Sequence, residues 1–103
     1  MKIVDNPKYM VDIAFVYANK CKDCKAAYKL LEDILEEEFC AASTYNLFYL
    51  SDECIMFCMA NEINDIPSCI IGSKHKFVGA KSFTKEAVKK AIADTKKPIE
   101  DES

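Results

Sequence analysis

The chain alternates short apolar runs with segments in which apolar residues recur every three or four positions. Residues 12–18 form an apolar run that predicts a buried strand, and residues 44–50, rich in aromatic and aliphatic side chains, predict a second strand. Between them lies a segment with the period of a helix and polar residues on its other face. Its apolar stripe is Ala27, Leu30, Leu31, Ile34 and Leu35. The pattern predicts a strand, an amphipathic helix and a second strand in succession.

A second helix is predicted after the second strand. Ser51 or Asp52 is a suitable N-cap, and acidic residues follow in the first turn, where they favour the helix dipole. The helix is expected to run to about Glu62. Residues 64–67 end in a proline and break it.

The last part of the chain predicts a hairpin and a third helix. Residues 68–71 and 76–79 are short apolar segments joined by a turn sequence that contains glycine. Thr84 is the predicted N-cap of the helix that follows. The buried stripe of this helix is Ala87, Val88, Ala91 and Ile92. The predicted order of elements is β-α-β-α-β-β-α, which is typical of an α/β protein.

Length and composition fit one domain. Half of the 103 residues are apolar, which is enough to bury a core, and no linker or repeat divides the sequence. We therefore expect a single domain over residues 1–103. Its core is expected at about residues 12–96, followed by a polar, frayed C-terminal tail at residues 97–103.

Charge and targeting signals limit the partners and the compartment. The formal net charge of −3 argues against nonspecific binding of nucleic acid. No apolar signal segment opens the sequence, and no stretch is long enough to predict a membrane span. The six cysteines are expected to be reduced or transiently oxidised thiols. These observations predict a cytoplasmic monomer that binds neither nucleic acid nor membrane.

The most informative motif is the dithiol sequence of Cys21 and Cys24, which lies between the first predicted strand and the first helix. Cys21 is placed at the helix N-terminus, where unpaired backbone N–H groups and the helix dipole favour a thiolate. Lys20, Lys22 and Lys25 add positive charge around it. Cys24, one turn further along, is placed to attack the sulfur of Cys21 once that sulfur has bonded to a substrate.

Other functions of this dithiol stay open at this stage. Cys21 and Cys24 also have the spacing of two ligands of a zinc or iron–sulfur site. Cys54 and Cys58 on the second helix would supply the other two ligands. A structural disulfide in an exported protein is a further alternative. The strand before the motif and the helix after it favour redox chemistry.

The order of the motifs resembles that of a known family. The dithiol of Cys21 and Cys24 is followed by Ile66-Pro67 and then by Gly79. With the predicted elements, this order resembles the thioredoxin-like superfamily, which includes thioredoxins and glutaredoxins, over about residues 12–96. The resemblance implies a central mixed β-sheet of about four strands flanked by helices.

The same resemblance implies a thiol:disulfide oxidoreductase. Cys21 would attack a protein disulfide, Cys24 would resolve the mixed disulfide, and an external reductant, either a reductase or glutathione, would restore the dithiol. The peptide bond before Pro67 is expected to be cis and to face the dithiol, with the backbone of Ile66 offered to an extended substrate. No cofactor beyond the redox-active disulfide, and no metal, is expected. A thioredoxin-fold interaction module without catalysis is the remaining alternative, since fold does not fix function.

The sequence departs from the family at several positions. Neither the Gly-Pro of thioredoxins nor the Pro-Tyr of glutaredoxins lies between the cysteines, where Lys22 and Asp23 stand instead. The buried acid that thioredoxins place on the first strand is Phe15 here. Gly79 is followed by Ala80 and not by the Gly-acid pair of glutaredoxins. Redox potential and a glutathione site therefore do not transfer from either group.

Five further residues have predicted roles that depend on their location. Tyr17 is expected either to flank the site as an aromatic platform or to lie in the core, and Lys20 is a candidate for contacting a peptide carboxylate. Cys69 lies two residues after Pro67 on a strand and is expected on the same side, as an accessory redox thiol or a buried core residue. Cys54 and Cys58 are expected to be packing residues.

The two remaining residues with side chains of chemical interest have simpler predictions. Cys40 is expected to close the first helix region as a small apolar residue. His75, the only histidine, is expected to be a solvated residue of the hairpin turn.

Overall fold

A computed structural model of the protein describes residues 4–99. The strands are β1 (Tyr9–Tyr17), β2 (Cys40–Phe48), β3 (Ser68–Ile71), β4 (His75–Val78) and β5 (Lys97–Pro98). The helices are α1 (Lys22–Glu37), α2 (Asp52–Ala60) and α3 (Lys85–Thr95), with a single 3₁₀ turn at Ala80–Ser82. The predicted order of strands and helices is confirmed up to the end of α3. Part of the predicted tail, residues 100–103, lies outside the described residues.

The strands form one mixed sheet. Its order is β2-β1-β3-β4, with β1 parallel to β2 and antiparallel to β3. The connection from β1 through α1 to β2 is the crossover that a parallel pair requires. The predicted mixed sheet is confirmed, but it has five strands within the described residues and not four. The additional strand, β5, pairs antiparallel with Tyr9 and Met10 at the start of β1, so the first part of the predicted frayed tail is held in the sheet.

The starts of β1 and β2 differ most from the prediction. β1 begins at Tyr9, three residues before the expected start, because Tyr9 and Met10 pair with β2 and with β5. Cys40 does not close the first helix region as predicted; it is the first residue of β2 and pairs with Tyr9. The chain reverses just before it at Phe39, whose φ of 53° ends the helical path.

The two faces of β1 belong to different cores. Val11, Ile13 and Phe15 pack in the main core beneath α1 and α3, together with buried residues of β3 and β4. Val16 points to the opposite face and packs with Leu47 of β2 and with α2. This alternation is the period of two expected of a strand covered on both faces. Most residues of the predicted helical stripes are buried, with α1 contributing Ala27, Leu31, Ile34 and Leu35. Leu30 is only half-buried and Ala87, at the start of α3, is exposed, contrary to the prediction.

Each helix begins with a side-chain cap. Thr84 accepts a hydrogen bond from the backbone N–H of Ala87, as predicted, and Ser51 accepts one from the N–H of Cys54. Ser51 is therefore the cap of α2, and not the alternative Asp52. The cap of α1 is Cys21, discussed below. Such caps satisfy backbone donors that no helical carbonyl can reach.

The turn between β3 and β4 is fixed against the end of α3. Gly72 donates its backbone N–H to the carbonyl of Asp12 at 2.7 Å, and Lys74 and His75 bond the carboxylate of Asp94 at 3.2 and 2.8 Å. Gly72 has a φ of +63°, and a Cβ added there would overlap with the side chain of Thr95. A glycine is needed at this position for both conformation and space.

We expect Gly72→Ala to lower the free energy of unfolding by ~1–3 kcal/mol, because the strain of a left-handed alanine and the overlap of its Cβ with Thr95 act together. Urea denaturation measures the change. Ser73→Gly is the matched control in the same turn, since Ser73 is exposed and has a φ of +59° that glycine adopts without strain. Equal stability of Gly72→Ala and the wild type would contradict the packing described for this turn.

Candidate active site

Cys21 and Cys24 lie at disulfide-bonding distance where β1 leads into α1, with their Cα atoms 5.2 Å apart. Three residues, Ala18, Asn19 and Lys20, connect the end of β1 to Cys21. Lys20 has a φ of 55°, and this left-handed residue turns the chain from the strand into the helix. The dithiol therefore sits at the carboxyl end of the central strand.

Cys21 occupies the N-cap of α1, as the sequence predicted. Its extended backbone, with φ −104° and ψ 109°, lets its Sγ accept a hydrogen bond from the N–H of Cys24 at 3.1 Å. This position stabilises the thiolate relative to the thiol, because the sulfur accepts a hydrogen bond from a backbone N–H and lies at the positive end of the helix dipole. Cys21 is partly exposed, whereas only 4% of Cys24 is exposed. An incoming sulfur thus meets Cys21 before Cys24.

A cavity of about 430 Å³ opens beside Cys24. Tyr17 and Lys20, both predicted as substrate-binding residues, line it together with Cys24. The structure thus brings these three residues together. Other lining residues that sequence reasoning missed are Asn19, Tyr28, Glu32 and Asn46. Two of them could have been predicted from the helical period. Tyr28 and Glu32 follow Cys24 at intervals of four residues and therefore lie on the same face of α1.

The floor of this cavity is aromatic. Phe15, where the family resemblance places an acid, is buried and its ring contacts Tyr28 edge-on, with centroids 5.2 Å apart. The strand position beneath the dithiol therefore holds no carboxylate. The carboxylate among the cavity residues is Glu32, which projects from α1.

The Ile66–Pro67 peptide bond is cis, as predicted. Pro67 is buried and directly precedes Ser68, which pairs with Val16 near the end of β1. Because β3 runs antiparallel to β1, its first residues lie at the end of the sheet from which the dithiol loop leaves. The proline loop and the dithiol loop are therefore at the same end of the sheet.

The backbone of Ile66 is less free than the resemblance implied. Its N–H donates to Oδ1 of Asp65 at 2.8 Å. The loop is tied further by the N–H of Gly79, which donates to the carbonyl of Pro67 at 2.8 Å. A Cβ on Gly79 would lie 2.8 Å from Oδ2 of Asp65. Asp65 is therefore a residue of the site that sequence reasoning missed, although it directly precedes the predicted dipeptide.

Cys69 lies in the main core. It is fully buried and packs beneath α1 and α3. Its paired residues on the neighbouring strands are Phe15 of β1 and Phe77 of β4. Burial raises the pKa of its thiol to about 12. Of the two alternatives predicted for Cys69, the structure shows the buried core residue. A thiol that stays protonated and inaccessible to solvent is a poor nucleophile. Burial also raises the pKa of the Cys40 thiol.

Cys54 and Cys58 lie on α2, on the face of the sheet opposite α1. Their sulfurs are 3.8 Å apart, and Cys54 packs with Val16 and Leu47. Burial, followed by the neighbouring Cys58, raises the pKa of Cys54 to about 11. The four-thiolate site of the metal alternative is not assembled, because the two cysteine pairs lie on helices that cover opposite faces of the sheet. Within residues 4–99, no three His, Cys, Asp or Glu side chains are grouped to hold an ion.

Known structures show the same fold. Mitochondrial thioredoxin 3 from Saccharomyces cerevisiae, in its oxidised form, matches 82% of this chain and 77% of its own, with a TM-score of 0.59 and 21% identity. A mutant thioredoxin from Halobacterium salinarum matches 97% of this chain and 100% of its own, with a TM-score of 0.62 and 15% identity. The protein has a thioredoxin-like fold.

The thioredoxin-like fold confirms the fold that the resemblance implied. No protein-family model and no curated protein sequence matches the chain. At these identities the two structures establish the fold, and activity has to be argued from the site. No helix in the described part of the chain is both long and apolar enough to cross a membrane.

The buried thiol of Cys69 predicts a loss of stability at high pH. Its pKa rises from 9.0 to about 12 on folding, so the unfolded chain releases this proton at a lower pH than the folded protein does. Its stabilising contribution is present below pH 9 and is lost as pH rises toward 12, at up to ~1.4 kcal/mol per pH unit.

This contribution is measured as a difference between variants. We expect Cys69→Ala to be less stable than the wild type at neutral pH by about 1 kcal/mol. The deficit should shrink as pH rises above 9 and reverse by about pH 10.5, because the wild type alone loses stability there. Val11→Ala is a core change that removes no titrating group, so its own loss of stability should not depend on pH. Urea denaturation at about pH 8 and about pH 10.5 makes the comparison. An unchanged Cys69→Ala deficit would contradict the assigned burial.

Proposed function

We propose that this protein is a thiol-disulfide oxidoreductase that reduces or exchanges disulfide bonds in other proteins. The observation that carries the proposal is the Cys21–Cys24 pair at the start of α1, where Sγ of Cys21 receives the N–H of Cys24. The same interaction that caps the helix favours the thiolate needed for attack. The thioredoxin-like fold supports this function.

In the first step, the Cys21 thiolate attacks one sulfur of a substrate disulfide. A bond forms between Sγ of Cys21 and that sulfur, the substrate S–S bond breaks, and the second substrate sulfur leaves as a thiolate. The partial exposure of Cys21 permits this attack. Lys20, Lys22 and Lys25 are exposed around the dithiol and favour the negative charge on the attacking sulfur.

In the second step, Cys24 loses its proton and attacks Sγ of Cys21. The mixed disulfide breaks, the substrate leaves as its second thiolate, and the Cys21–Cys24 disulfide remains. Two electrons have passed from the protein to the substrate. Water in the cavity beside Cys24 is a suitable proton acceptor, and Glu32 lines the same cavity. Burial of Cys24 keeps it from reacting with substrate before Cys21 does.

The proline loop supplies the substrate-binding part of the site. An extended substrate segment would lie along Ile66 and Pro67, and its backbone would exchange hydrogen bonds with Ile66. Tyr17 offers an aromatic surface and Lys20 a cation in the cavity beside Cys24. Asp65 competes with the substrate, because it already accepts the N–H of Ile66.

A return to the dithiol requires a reductant. In the direction of substrate reduction, a reductase or glutathione would transfer two electrons to the Cys21–Cys24 disulfide and release both thiols. We propose that the protein works as a monomer, on protein disulfides, in the reducing environment of the cytoplasm.

The roles of the two cysteines are tested by single changes. We expect Cys21→Ser to reduce the rate of insulin disulfide reduction by at least ~10³-fold, because the attacking sulfur is lost. Cys24→Ser should accumulate a mixed disulfide with substrate, since the resolving sulfur is absent. Mass spectrometry under non-reducing conditions detects that adduct.

Cys58→Ser is the matched control, because Cys58 is a partly exposed cysteine on α2 away from the dithiol. It should keep the wild-type rate of insulin reduction. Full activity in Cys21→Ser would refute the assigned nucleophile. A wild-type protein that does not reduce insulin with a dithiol reductant would favour the interaction-module alternative.

The contact between Asp65 and Ile66 makes a separate prediction. Asp65→Ala removes the internal acceptor of the Ile66 N–H, and we expect KM for a protein disulfide to fall by about 2- to 10-fold, the effect of one net hydrogen bond. Turnover at saturation should change little. Asp65→Asn keeps a side-chain acceptor and should resemble the wild type; a rise in KM for Asp65→Ala would mean that the loop is not a substrate-binding strand.

A further inference from the structure

A second pair of sulfurs lies outside the candidate active site, on α2. The sulfurs of Cys54 and Cys58 are 3.8 Å apart and line a cavity of about 420 Å³. Val16, Ile63 and Ile66 form apolar walls of that cavity. Cys54 is fully buried, Cys58 is partly exposed and the side chain of Met59, at the rim, is 76% exposed. Solvent therefore reaches Cys58 from the rim, with Cys54 beneath it in the wall of the same cavity.

The helix makes a disulfide between Cys54 and Cys58 unfavourable. Side chains four residues apart on a helix have Cβ atoms about 5–6 Å apart, whereas a disulfide needs about 3.5–4.5 Å. Both cysteines lie within the regular helix Asp52–Ala60. Closing the bond would require α2 to distort, so the pair is kept as two thiols.

The distance between the same two sulfurs suits a bridging ion. Two thiolates at about 2.3 Å from one ion, the length of a zinc–thiolate bond, are about 3.8–4.0 Å apart when the angle at the ion is tetrahedral to trigonal. The two thiols lie at hydrogen-bonding distance, 3.8 Å, and this separation also meets the requirement without any movement of the helix. Cys54 also lies in the first turn of α2, where the helix dipole favours negative charge on the bound sulfur.

We propose that Cys54 and Cys58 bind a soft monovalent metal ion, Cu(I), with the thioether of Met59 as an additional ligand at the rim. Thiolate and thioether sulfurs are the ligands that such an ion prefers. Zn²⁺ normally takes four S, N or O ligands, and in the described part of the chain no third His, Cys, Asp or Glu joins the pair. Binding forms two Cu–S bonds with thiolates and releases both thiol protons to water.

The sulfur ligands of this site are distinct from the Cys21–Cys24 dithiol, although Ile66 borders both the cavity and the proposed substrate-binding loop. The test therefore uses protein in which the Cys21–Cys24 disulfide is intact. Anaerobic titration of this oxidised protein with Cu(I) and ascorbate, against a chromophoric Cu(I) chelator, measures stoichiometry and affinity. One equivalent is expected to bind. A Cys21→Ser/Cys24→Ser double variant should bind the same single equivalent, which excludes the first dithiol as the ligand.

Single changes assign the ligands. Cys54→Ser or Cys58→Ser should weaken Cu(I) binding by more than the ~10–100-fold typical of losing an outer-shell partner. Met59→Leu should weaken it less, and Met56→Leu is the matched control, because Met56 is equally an exposed methionine on α2 but does not line the cavity. X-ray absorption of the copper complex should show only sulfur ligands.

Alkylation gives a measurement that needs no variant to fold. In the metal-free protein, iodoacetamide should label the partly exposed Cys58, and one equivalent of Cu(I) should protect it. The proposal is overturned if the oxidised wild type does not compete with the chelator, if Cys58→Ser keeps wild-type affinity, or if Zn²⁺ binds more tightly than Cu(I). A Cys54–Cys58 disulfide found in oxidised protein would overturn it as well.

Discussion

Strand β1 is hydrogen-bonded along both of its edges, and the arrangement of the other elements depends on this constraint. β2 pairs with it over its full length, while β3 and β5 share the other edge. With both edges occupied, its side chains alternate between the core beneath α1 and α3 and the smaller core beneath α2. The position of Cys21 is then set by the end of the most constrained strand, which is why a short loop can hold it at a fixed place.

The electrostatics of the dithiol come from its helix and from surface charges. Phe15 occupies the strand position beneath it, so no buried carboxylate is available there. The N–H of Cys24 acts at 3.1 Å and is part of the fold, whereas the lysines around the dithiol are exposed and their fields weaken with added salt. In the proposed mechanism, the local helix geometry therefore has the main effect on the reactivity of Cys21, and the contribution from the lysines varies with ionic strength.

The sequence predicted those features that depend on local periodicity and local chemistry. The order of helices and strands, the cap at Thr84 and the dithiol at a helix start all follow from patterns within a few residues. The start of β2 at Cys40 was missed because it depends on pairing with a strand thirty residues earlier. The burial of Cys69, one of its two predicted alternatives, depends on tertiary packing. The bond from Ile66 to Asp65 joins adjacent residues, but it depends on a loop conformation that the sequence pattern does not specify.

The pairing of β5 has a consequence for how the molecule tolerates additions. Pro98 pairs with Tyr9, so the two ends of the described chain lie together at the amino end of β1. The nine residues of β1 separate that end from the dithiol loop, a length of about 30 Å for an extended strand. The ends of the described chain and the candidate active site are thus at opposite poles of the sheet. If the proposed activity holds, a partner attached at the pole of Tyr9 and Pro98 would leave Cys21 accessible to substrate.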